Sequence, residues 1–250
     1  MNPQKLVVST VISALVVSGV ASARFISVDP QPVNTTNGNN FNRYWYANDN
    51  PYKFIDPDGR DCKTANGTVT CTEMVTGSHI PQKFSFQAPA NWPANMSSGQ
   101  TMHHAYDVTG SAGSGSAGKA PAIRQALIND PTPGNDRPAT TNGTLNNATP
   151  QSGILHVAAE ITDTSSPVKS YTFKDSNGNP MVVNVTLPGH PLFPGYAARM
   201  VTVENGQAVV HNFGEGLSPY QSGYSPVAGV IDNVWVQQTQ NDINTANGGH

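Results

Sequence analysis

Through most of the chain the apolar residues come in short runs of period two, separated by Asn, Gly, Pro and Thr. That pattern predicts antiparallel strands joined by tight turns. Around Asn66-Gly67, a type I′ turn signal, counting outward pairs Ala65 with Thr68, Thr64 with Val69, Lys63 with Thr70 and Cys62 with Cys71. Strands over 168–174 and 181–187 flank Ser176-Asn177-Gly178-Asn179. A two-residue turn there sets Pro180 opposite Asp175, where its missing N–H costs no ladder bond. The third hairpin turns at Asn205-Gly206 and pairs Val203 with Ala208, Val201 with Val210, Met200 with His211 and Arg199 with Asn212. In that register Val201, Val203, Ala208 and Val210 share one apolar face with Arg199 at its end, and His211 lies with Met200 on the other.

Leu155, Val157, Ala159 and Ile161 alternate with His156, Ala158, Glu160 and Thr162, which predicts a half-buried strand with His156 on its polar face. Val234-Trp235-Val236 reads as a last strand, and 237–250 as a disordered, flexible tail. One short helix is expected over 121–129: Pro121 suits the first turn, Ile123 and Leu127 lie one turn apart, and Asp130-Pro131 stops it. The Gly/Ser-rich 111–118 reads as a flexible linker, and 131–150 returns to Pro, Thr and Asn. The expected fold is mainly β, α+β at most: antiparallel hairpins and a meander with one short helix and long loops. It divides into a disulfide hairpin and loop-rich region over 61–150 and an antiparallel β domain over 151–236.

Composition supports this class. Charged residues are 12% of the chain, with 23 Gly and 20 Pro, which leaves little material for long charged helices. The net charge is −3, and residues 151–250 hold only Lys169, Lys174 and Arg199 as strong cations, so an ordinary nucleic-acid surface is disfavoured. At the N-terminus Lys5 precedes an apolar run ending in Ala21-Ser22-Ala23, the pattern of a secretory signal over 1–23 cleaved before Arg24. No stable membrane span is expected once it is removed. An exported chain reaches an oxidising compartment, secreted or periplasmic, where a Cys62–Cys71 bridge is expected to form.

Residues 24–60 carry Arg24-Phe25, Asp29-Pro30, Asn42, Tyr44, Tyr46, Asn48, Asn50-Pro51 and Asp56-Pro57-Asp58-Gly59 in order. This resembles the closing part of an RHS-repeat-associated (YD-repeat) core, in which a "GRF-x-x-x-DP" segment precedes "N-x-Y-x-Y-x-x-N-x-P" and "DPxG". The resemblance implies a variable, commonly toxin-like C-terminal domain and an immunity protein or cell-envelope target as partner. It also implies Asp29 and Asp56 as self-cleavage candidates, or else a small docking or folding cap left from the core.

The chemistry-bearing side chains concentrate in 184–216. His190 stands on a Pro/Gly-rich loop over 187–195, His211 and Glu215 follow the third turn, and Arg199 precedes it. His190, His211 and Glu215 form a candidate catalytic acid–base set, and Arg199 is the candidate substrate-binding cation. The expected activity is hydrolysis of an extracytoplasmic target by an RHS-associated effector. The alternatives are a non-catalytic β-rich binding protein or decayed RHS fragment, whose mark is an aromatic patch near Tyr220, Tyr224 and Trp235, and a metal-independent RNase with Arg199 on phosphate. No cofactor or metal is expected: His103-His104 are adjacent and point in different directions, so they do not ligate one metal without further ligands.

Overall fold

The computed structural model describes residues 61–75, 81–97, 100–134, 137–151, 153–218 and 228–248. The expected signal sequence over 1–23, the RHS-like segment with Asp29 and Asp56, and Tyr220 and Tyr224 lie outside the described residues. All the described residues belong to one compact unit.

The fold is mainly antiparallel β, as the alternation predicts. A small sheet holds β1 (Asp61–Ala65), β2 (Thr68–Glu73), β3 (Gln82–Gln87) and β4 (Asn95–Met96) in the order β3-β2-β1-β4. The large sheet holds β5 (His104–Ser111), β6 (Thr144–Asn147), β7 (Pro167–Lys174), β8 (Pro180–Thr186), β9 (Gly195–Glu204) and β10 (Gln207–Gly216) in the order β5-β10-β9-β8-β7-β6. Among the described residues three α-helices complete it: α1 (Ala120–Asn129), α2 (Gly153–Thr162) and α3 (Ala228–Ala246). β5 and β6 come from the 61–150 region and join strands from 151–236 in one sheet, so no domain boundary separates the two.

The alternation along each large-sheet strand feeds two cores. One face, with Tyr171, Met181, Val183, Val185, Tyr196, Ala198, Met200 and Phe213, packs on the small sheet around Cys62, Val69, Cys71, Phe84 and Phe86. The other face, with Val182, Val201, Ala208 and Val210, packs on α1 and α3 through Ile123, Leu127 and Ile243. The result is a layered stack of helices, large sheet and small sheet.

The first and third hairpins have the expected registers, with Cys62 opposite Cys71 and Arg199 opposite Asn212. Cys62 and Cys71 are bridged, their Cα atoms 4.1 Å apart. The second hairpin differs by one residue: Pro180 pairs with Lys174, not Asp175. The Asp175 carboxylate accepts from the Asn177 and Asn179 N–H groups at 2.9 and 2.8 Å, and Gly178 takes φ +82°. An aspartate that collects its own turn's donors draws the loop out to three residues, with glycine in the left-handed position. The slip decides which side chains of β8 face the helices.

Two expected strands are helical. Residues 155–161 lie in α2 and 234–236 in α3, whose continuation to Ala246 also replaces the expected tail. In α2 nearly every position from 154 to 161 is apolar or Ala, so alternation could not be told from a helical stripe; His156 and Glu160 meet as an i,i+4 pair at 3.4 Å. α1 is where it was expected. The 111–118 segment is ordered: Ser116 is buried, donates to the Gly113 carbonyl and accepts from the Ala208 N–H.

Candidate functional site

A cavity of about 610 Å³ opens between the helix face of the large sheet, α2, α3 and the loop after β8. Its wall is mostly apolar, with Leu155, Ala159, Val168, Leu192, Val234 and Trp235 among its residues. Asn184, Thr186, His190 and Tyr106 are among the polar residues that reach it.

β8 contributes Asn184 and Thr186, which the alternation places on the cavity side with Val182. Thr186 is consumed by the fold, since its hydroxyl donates to the Gly195 carbonyl at 2.8 Å and accepts from the Gly195 N–H at 2.9 Å. That pair closes the base of the loop over 187–195, which also contains a cis Phe193-Pro194 bond. Asn184 is 3% exposed, and its Nδ2 donates to the Pro131 carbonyl at 2.7 Å. Its Oδ1 has no hydrogen-bond partner among the described residues.

On the loop, His190 lines the cavity. Its Nδ1 accepts the Leu192 N–H at 2.9 Å, which places the ring proton on Nε2. Burial pushes its pKa down to about 4, so at neutral pH the ring is an uncharged N–H donor. A histidine so far below neutrality, with its basic nitrogen occupied, is poorly matched to general-base work at pH 7. From β5, Tyr106 lines the cavity and hydrogen-bonds the Trp235 indole; burial, and then Asp232, hold its phenol well above the usual range.

The other site candidates lie elsewhere. Arg199 is fully buried under the helices. Its Nε donates to Asn212 Oδ1 at 2.8 Å, Nη1 to the Asp130 carbonyl at 3.0 Å, and Nη2 to Asp242; its guanidinium also stacks on Trp235 at 5.4 Å. It ties β9, β10, α1 and α3 together and does not line the cavity. Asp242 beside it is pushed up to about 6 by burial, which outweighs the pull of Arg199.

His211 occupies the opposite face of the sheet, as the third register requires. It is 1% exposed, with Nδ1 3.3 Å from Asp107 and Nε2 3.0 Å from both Glu204 and Thr202. Burial works to lower its pKa, but the two carboxylates prevail and raise it. Thr202 gives its own proton to Glu204 at 2.6 Å, so this is a charged structural cluster and not a nucleophile with its base.

Glu215 pairs with Tyr196 and follows Phe213 by two, which turns its side chain towards the small sheet, where Tyr196 donates to Glu73. It lies 3.6 Å from His103. His104 lines the cavity, so the two adjacent histidines do point apart. The fold thus sets His211 apart, whereas Glu215 is among the cavity's lining residues with His190 although its side chain turns towards the small sheet. Among the described residues no group of His, Cys, Asp and Glu is arranged to hold a metal. No helix among them is long and apolar enough to cross a membrane.

Asn184 escaped the sequence reading, although its signal was present: an amide in the middle of Met181-Val182-Val183-Asn184-Val185 is a polar exception in a strand buried on both faces. The exposed aromatic patch that would mark the non-catalytic binding protein does not include Trp235, which is 7% exposed and faces inward.

No family model and no curated protein matches the chain. Among solved structures it is similar to ginseng major latex-like protein 151 from Panax ginseng, at 12% identity over 58% of this chain and 97% of that one, with a TM-score of 0.28. It is also similar to the di-domain ARO/CYC BexL from the BE-7585A biosynthetic pathway, at 8% identity over 72% and 74%, with a TM-score of 0.29. Overlaps this loose carry no functional argument.

Proposed function

We propose that this protein binds a small, largely apolar molecule, and that its site is the cavity under α2 and α3. The observation that carries the reading is the cavity itself: about 610 Å³, walled mainly by apolar side chains, with a few convergent polar groups. Sites for small molecules have this size and this lining. The binding-module alternative is therefore preferred to a hydrolase built on His190, His211 and Glu215, because His211 lies away from the cavity that His190 lines and the Glu215 side chain turns towards the small sheet. The signal-like N-terminus and the Cys62–Cys71 bridge support a setting outside the reducing cytoplasm, secreted or periplasmic. The RHS-like segment supports an origin in an exported effector system.

The test is titration with N-phenyl-1-naphthylamine, an uncharged apolar probe whose fluorescence rises in a dry site. Saturable enhancement is expected in the wild type. Ala159→Phe, which adds a ring to the wall, is expected to weaken it about tenfold with little change in Tm, since filling the site removes about 1.4 kcal/mol or more of apolar burial. The absence of saturable binding in the wild type refutes the reading.

A further inference from the structure

Asn184, which lines the cavity, carries a buried acceptor that the described fold leaves unanswered. Asn184 Nδ2 donates to the Pro131 carbonyl, which can only accept, so the orientation of the amide is fixed by its partner and is not interchangeable. Oδ1 is therefore the group left over, and it is buried without a hydrogen bond. An unmet acceptor in such a place costs about 1–3 kcal/mol, a penalty that valine, present at 182, 183 and 185 of the same strand, does not incur. Thr186, two residues on, cannot answer it, because its hydroxyl is committed to Gly195.

The charges around the site point the same way. Among the described lining residues there is no lysine or arginine, and the one carboxylate, Glu215, turns to the other face of the sheet. An anionic ligand entering here loses its hydration and finds no lysine or arginine to pair with, a large cost. At the loop end of the cavity, the His190 Nε2–H has no acceptor among the described residues, because the ring's only hydrogen bond is made by Nδ1.

We infer that the cavity selects a neutral molecule with an apolar body and a hydroxyl or N–H group that donates to Asn184 Oδ1, and that an oxygen elsewhere on the ligand accepts from His190. The inference rests on the cavity being a binding site. It adds the ligand's chemical class: alcohols, phenols and neutral amines or amides are bound, whereas carboxylates and pure hydrocarbons are discriminated against.

A calorimetric series of equal shape tests it: 2-naphthol, 2-methylnaphthalene, 2-methoxynaphthalene and 2-naphthoate, each titrated into the full chain. The naphthol is expected to bind about tenfold more tightly than the methyl compound, the worth of one net hydrogen bond at a buried site, and the naphthoate most weakly. Asn184→Leu, which keeps the volume and removes the acceptor, is expected to erase the naphthol preference. Where that variant does not fold, naphthol against the methoxy compound in the wild type isolates the donated proton without any substitution. Naphthol, methyl and methoxy compounds binding within about twofold of one another overturn the Asn184 assignment and leave the cavity reading standing. Naphthoate binding as tightly as naphthol overturns the neutrality. If none of the four binds or displaces N-phenyl-1-naphthylamine while that probe still binds, the class is wrong; if the probe itself does not bind, the cavity reading falls.

Discussion

Arg199→Met provides a direct test of what the buried guanidinium does. Removing it leaves the Asp242 carboxylate, 1% exposed, without its counter-charge, and strips a donor from Asn212 Oδ1 and from the Asp130 carbonyl. Breaking a buried ion pair from one side costs about 3–5 kcal/mol. For a unit of this size that is a fall in Tm of roughly 10 °C. The cost should depend on pH in a defined sense. Burial already pushes Asp242 up to about 6 with Arg199 beside it, and without Arg199 its value rises further. A carboxyl whose folded pKa lies above its unfolded value gains stability from acidification. The variant reaches that regime at higher pH than the wild type, so its deficit shrinks by about 1.4 kcal/mol per pH unit as the pH falls towards 6. Arg199→Met/Asp242→Leu, which removes both charges, should recover more than half of the loss. Urea unfolding at pH 8 and pH 6 measures all of this. A loss below about 1 kcal/mol at pH 8, or a deficit that grows on acidification, refutes the account of Arg199 as a structural tie.

Three further outcomes are expected. His190, held at about 4 by burial, contributes stability that is fully present above its unfolded value near 6.5 and is lost as the pH falls through 4. That loss, about 2–3 kcal/mol between pH 7 and 4, should be smaller in His190→Phe when followed by urea unfolding. Replacing both Cys62 and Cys71, nine positions apart, by serine should lower stability by about 2–3 kcal/mol, and reductant should then have no further effect on the unfolding midpoint. A Cβ at Gly214 would sit 2.1 Å from the Tyr196 carbonyl oxygen, so Gly214→Ala should cost about 2–3 kcal/mol in thermal unfolding. Gly118→Ala, where a Cβ meets nothing within 4 Å, should change it by less than about 0.5 kcal/mol.

Turn chemistry made much of the fold legible. Asn66-Gly67 and Asn205-Gly206 each fixed a register, and through the second the separation of Arg199 from His211 was readable before any coordinates. The Asn177-Gly178 turn misled by one residue, because the deciding group was the Asp175 side chain and not the glycine. Helices α2 and α3 were hidden for another reason. Leu155 to Ile161 is apolar except for His156 and Glu160, which fit the polar side of a strand as well as of a helix, and the Gln, Asn and Thr of 237–245 carry neither charge pairs nor a strong apolar stripe, so their helicity comes from packing on the sheet. The cavity lay beyond local reading altogether. Its wall joins residues from β5, β8, α2, α3 and the 187–195 loop, and only the tertiary arrangement shows that Asn184 faces a space while Arg199, one strand away, does not.

The pairing of β5 with β10 also governs how the chain can come together. Among the described residues the large sheet's first strand finds its only sheet neighbour in its last, and the His211–Asp107 contact spans 104 positions. During synthesis β5 therefore waits, unpaired, until Gly216 has been made, and the helix-side floor cannot close before then. Closure of so distant a pair is slow in proportion to the chain entropy it removes. A chain stopped between Met96 and β10 has all four strands of the small sheet and both cysteines of its disulfide, but no cavity.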